Sequence, residues 1–157
     1  DPGTLVVGRG YRTNDEGIRQ LRRLVEPLGV EVVAVHLPHH RGPDDVFHLM
    51  SVLSPVDVDA AVVHSPLMPV PLRELLVERG YRLVEVPDEE LDSQGCNVLA
   101  AGPGRCVAVE GNPVARRRLE EAGLEVRTFP GAEICHRGMG GPTCLTRPLR
   151  RRSPARG

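Results

Sequence analysis

Cys144 and His48 are the residues of this 157-residue chain whose types offer the most chemistry, because a thiol and an imidazole are the usual makings of a nucleophile and its acid/base. Cys144 follows Gly138-Met-Gly-Gly-Pro-Thr. Glycines there allow backbone conformations closed to other residues and let a small molecule approach closely. Type alone decides nothing. A free cysteine is commonly a buried small apolar side chain, and a histidine between Phe47 and Leu49 is commonly a half-buried strand residue. Position adds more: stretches of similar pattern that begin at Gly29, Gly80 and Gly123 lead to His48, Asn97 and Cys144 in turn. Periodicity of this kind places equivalent loops on one face, where a distant histidine and cysteine meet.

The repeat also dictates the scaffold. Each copy has a short apolar strand, an Arg/Glu/Leu-rich helix, a glycine, a second strand and a loop of about a dozen residues. Helices are predicted over residues 15–28, 72–79 and 113–122, with strands over 4–8, 31–36, 59–64, 81–86, 105–110 and 124–129. Asn14 is the expected N-cap of the first helix and Gly29 its closing glycine. Residues 46–51 read as extended, and the stretch from 130 to 144 reads as loop. Residues 1–149 form one domain on this reading, and the Arg-rich tail 150–157, lacking any apolar pattern, is expected to be disordered.

Composition excludes several function classes. The formal charge is −1, with 20 basic against 21 acidic residues, which argues against a nucleic-acid partner or an anionic membrane surface. Every basic residue is Arg, so this chain has no lysine for Schiff-base or P-loop chemistry. Cys96, Cys106, Cys135 and Cys144 are irregularly spaced without a Cys-x-x-Cys, suggesting neither a disulfide framework nor a zinc site. No apolar run approaches a membrane span and no signal-like start is visible, so the expected location is the cytoplasm.

Tyr11-Arg12-Thr13-Asn14, Phe47-His48-Leu49-Met50-Ser51, Gly95-Cys96-Asn97-Val98-Leu99 and Gly140-Gly-Pro-Thr-Cys144-Leu-Thr-Arg-Pro-Leu149, in that order, resemble the guanidino-group-modifying enzymes. That superfamily, the penteins, comprises arginine deiminases, dimethylarginine dimethylaminohydrolases and amidinotransferases. The resemblance covers nearly the whole chain outside its tail. It implies an α/β propeller of repeated ββαβ units, with about three of the five units present. It further implies Cys144 as nucleophile, His48 as general acid/base and Arg12 as the guanidinium fork that grips a substrate α-carboxylate. Asn97 receives no chemical role; its amide is expected to satisfy backbone groups in a turn.

The implied reaction is cysteine-dependent hydrolysis at the guanidino carbon of arginine or a methylated arginine, giving citrulline without a cofactor. Arginine deiminases carry an acidic residue two positions after the histidine, where this chain has Met50. His-Leu-x-Ser looks more like the dimethylargininases and favours a substituted arginine. Arginine deiminase or amidinotransferase activity is the alternative. The family's acidic ligands, among them the glutamate of a Glu-Gly-Gly-Asp stretch, would lie upstream of Asp1. The chain thus reads as a C-terminal portion that self-associates or binds a missing N-terminal portion. A non-catalytic module of the same fold is the reading from another class. Asp44, Asp45 and Glu133 are the nearest replacement carboxylates and read as solvated charge. A papain-like hydrolase fits the residue pair but not the repeat or the sequence around Cys144.

Overall fold

The structure, a computed structural model, describes residues 3–45 and 47–149. The tail 150–157, expected to be disordered, lies outside the described residues. The fold is mixed α/β, built on separate small sheets. Strand β1 (Thr4–Arg9) runs parallel to β2 (Glu31–His36), with α1 (Asp15–Val25) between them. Next, β3 (Leu53–Pro55) lies antiparallel to β4 (Ala60–Val63), which crosses over through α2 (Val70–Glu78) to parallel β5 (Arg82–Glu85). The last sheet repeats the pattern with β6 (Leu99–Gly102), β7 (Arg105–Val109), α3 (Pro113–Glu121) and β8 (Glu125–Phe129).

Local chemistry explains the elements. Asn14 caps α1 by accepting from the Gly17 N–H at 2.9 Å, satisfying one of the helix's orphan donors. Helices α2 and α3 turn one stripe inward, Leu72 with Leu76 and Ala115 with Leu119, the i,i+4 spacing of a buried helix face. After each helix the chain reverses at a glycine in the left-handed region, Gly29, Gly80 or Gly123, where a side chain would be strained.

Alternation places the core. In β4, Ala60 and Val62 enter a cluster with Val84, Val98, Cys106 and Leu119, while Ala61 and Val63 enter another with Val35, Leu53 and Leu72. One central strand therefore joins both neighbouring sheets, and all four of its residues are fully buried. Short polar links support this packing: Ser54 Oγ donates to the Cys96 carbonyl at 2.6 Å and Arg118 Nη1 to the Glu85 carbonyl at 2.8 Å.

Several expected boundaries change. The first helix ends at Val25 and continues as a 3-10 turn, Glu26–Leu28. His48 is extended, but Leu49–Ser51 is a 3-10 turn rather than strand; Val46 lies outside the described residues. The stretch before Cys144 contains a π-helical turn, Ala132–His136, where a loop was expected. Among the described residues no helix is long and apolar enough to cross a membrane.

Candidate active site

The loops that follow β2, β5 and β8 leave the same ends of parallel strands and converge on a cavity of about 360 Å³. His48 comes from the first loop, Asn97 from the second and Cys144 from the third, and all three line the cavity. Equivalent repeat ends thus reach one place.

Cys144 stands in a tight turn, its N–H donating to the Gly141 carbonyl at 3.0 Å. It is exposed, whereas Cys96, Cys106 and Cys135 are buried. Burial pushes the Cys96 thiol up to about 12, helped by the Glu85 charge, and the Cys106 thiol up to about 11. Burial raises Cys135 too, with the Cys144 charge adding to it. Those three remain thiols near neutral pH.

His48 is held by its own N–H, which donates to Ser51 Oγ at 3.2 Å. Desolvation lowers its pKa from the ordinary 6.5, and the nearby Arg12 charge lowers it further. The ring is therefore neutral at pH 7, fit to accept a proton. Arg12 is exposed, in a turn closed by the Gly10 N–H donating to the Thr13 carbonyl at 3.1 Å. It does not line the cavity; its charge reaches His48 from outside. Tyr11 beside it bonds His39 and meets that ring edge-on, tying this turn to the loop that carries His48.

Of the carboxylates expected in solvent, Asp44 and Glu133 are exposed, and Glu133 pairs with Arg137 at 2.7 Å. Asp45 differs: it lines the cavity, only 22% exposed and 3.8 Å from His40 Nε2. Asp92 also faces the cavity, held by Arg41 Nη2 at 2.7 and 3.0 Å. Met50 and Phe47 supply apolar wall. Among the described residues no cluster of His, Cys, Asp and Glu is arranged to hold a metal.

Asn97 does more than the turn role expected of it. Its Oδ1 accepts from the Thr143 N–H at 2.9 Å and hydroxyl at 2.7 Å, and its Nδ2 lies 3.2 Å from Cys144 Sγ. The recurrence of a motif at this repeat end was the available signal; the contact itself joins sequence-distant loops and follows no local pattern.

The fold is shared with solved structures of guanidino-group-modifying enzymes, the pentein superfamily. SxtG, an amidinotransferase of the saxitoxin biosynthetic pathway of Microseira wollei, superposes with a TM-score of 0.77 at 17% identity, over 99% of this chain and 46% of that one. A Pseudomonas aeruginosa DDAH structure, the C249S mutant in complex with citrulline, gives 0.66 at 22% identity, over 83% and 46%. The arginine deiminase family model matches residues 69–151, and the chain belongs to that family. The arginine deiminase of Mycobacterium avium strain 104 is 32% identical over 96% of this chain, which spans 44% of that protein.

Proposed function

We propose that this chain carries the nucleophile and the acid/base of a hydrolase acting on the guanidino group of arginine or a methylated arginine. The supporting observation is the exposed Cys144 and the neutral, half-buried His48 on one cavity, in a chain of the arginine deiminase family. In the proposed reaction Sγ attacks the guanidinium carbon, and the thiol proton passes to His48. His48 delivers it to the departing amine as the C–N bond breaks, leaving a covalent thiouronium. Water then attacks that carbon, giving up a proton to His48; the C–S bond breaks, citrulline leaves and the sulfur is reprotonated. The reaction calls for no cofactor, and we place it in the cytoplasm. Arg12 would meet the substrate carboxylate from outside the cavity, and Asp45, on the cavity wall, would face the guanidinium.

Met50 and Phe47 favour an N-methylated guanidinium, the dimethylargininase-like reading. The family match favours free arginine as the second reading. A five-unit propeller, with further units supplied by a second copy or another segment, belongs to the same proposal.

A chloroacetamidine, a small guanidinium-like electrophile, tests it. Alkylation of Cys144 ahead of Cys96, Cys106 and Cys135, blocked by arginine or dimethylarginine, is the expected result. Labelling spread evenly over all four thiols, or indifferent to those ligands, would leave a non-catalytic module of this fold instead.

A further inference from the structure

We propose that Asn97 is a positioning residue that aims the Cys144 sulfur into the cavity and stabilises its thiolate by donating to Sγ; this rests on the reading of Cys144 as nucleophile.

The orientation of the amide follows from its partners. A backbone N–H can only donate, so the Thr143 N–H at 2.9 Å requires the Asn97 oxygen opposite it. The Thr143 hydroxyl, 2.7 Å away, donates its proton to the same oxygen. The NH₂ group is thereby left facing Sγ at 3.2 Å. Thr143 Oγ1 lies farther from the sulfur, at 3.9 Å, and its own proton is already committed. A thiol can donate to that oxygen, but a thiolate can only accept, and the amide is the fixed donor beside it. Hydrogen bonding to the charged form favours that form.

The surroundings are shaped for this side chain. Asn97 is 5% exposed. A Cβ at residue 141 would fall 2.4 Å from Asn97 Cγ and 2.6 Å from Oδ1, so Gly141 leaves the space the amide fills. The Gly141 carbonyl also takes the Cys144 N–H, so one close approach sets both the amide and the turn. Of the cations on the cavity wall, Arg41 is paired with Asp92.

The test reads alkylation of Cys144 by neutral iodoacetamide across a pH series, peptide by peptide in a mass spectrometer, on the whole chain. Asn97→Asp keeps the shape and an acceptor for Thr143 but replaces the donor with an oxygen. The expected result is a pH midpoint raised by at least about one pH unit and a rate near pH 7 reduced about tenfold. Because Asn97→Asp also sets a carboxylate charge beside the sulfur, which raises the midpoint by itself, the uncharged Asn97→Ala, read identically, decides the matter and should raise the midpoint by less. Thr143→Ala loosens the anchor while leaving the donor, and should leave the midpoint in place. A midpoint unmoved by loss of the amide, or moved equally by Thr143→Ala, overturns the proposal and leaves Asn97 a loop tether. The nucleophile reading fails separately, if chloroacetamidine does not prefer Cys144 in the unaltered protein.

Discussion

His48 loses more by leaving water than it gains from any neighbour, and the Arg12 charge acts in the same direction. The folded chain therefore binds this proton less tightly than the unfolded chain does. By linkage, the stability tied to His48 is full above the unfolded value near 6.5. It falls as the pH drops from there toward the lower folded value, and is constant below it. Thermal midpoints compared between roughly pH 7.5 and 5 should fall more steeply for the natural chain than for His48→Gln. Parallel curves would mean that the imidazole is solvated. In the proposed reaction, measured on an assembly in which the chain is joined by the further units, His48→Gln should also cost roughly 10²–10⁴-fold in citrulline release, the usual worth of a positioned acid/base. An undiminished rate would remove His48 from the chemistry.

Among the elements, α3 depends on a residue from outside itself. The Glu90 carboxylate, 5% exposed, accepts from the Val114 and Ala115 N–H groups, each at 2.7 Å, where the helix has unsatisfied donors and the positive end of its dipole. Asp88–Glu90 forms the turn just before the segment that bears Asn97, so the cap also fixes that segment's entry. Glu90→Ala should cost about 1–3 kcal/mol, read from denaturant midpoints, because a buried donor and a half-buried one lose their acceptor. A change within error would show that water replaces the carboxylate. Much of this level could be read from the sequence. The stripes Leu72/Leu76 and Ala115/Leu119, the Asn14 cap and the three closing glycines are local signals. Strands β3 and β6 are less legible, because Leu53–Pro55 and Leu99–Gly102 are short and contain Pro or Gly; pairing to β4 and β7 makes them strands. The bond between Asn97 and Cys144 was equally hidden, since it exists only once two loops have converged. That His48 and Cys144 line one cavity was legible because repetition, unlike a side-chain contact, is written along the chain.

The whole molecule has an uneven exterior. Strands β4 and β7 each have a neighbour on both sides, whereas among the described residues β1 pairs only with β2. In the same part of the chain Leu24 is 71% and Leu28 77% exposed. Open edges and exposed apolar side chains favour association. The 157-residue chain by itself is expected to show a concentration-dependent mass in sedimentation, and negligible citrulline formation from arginine or methylarginines. A compact monomer with Cys144-dependent turnover would instead mark it as a self-sufficient catalyst.

The strand that serves two cores also sets how the chain opens. Because Ala60 and Val62 belong to one cluster and Ala61 and Val63 to the other, neither outer sheet can release β4 alone. Amide deuterium uptake should accordingly be graded. Protons in Ala60–Val63 should exchange only through global unfolding, while those in Thr4–Arg9, with one strand beside them, should exchange through cheaper local excursions. The middle sheet then acts as the latch of a cooperative unit, and the first sheet is the part that breathes.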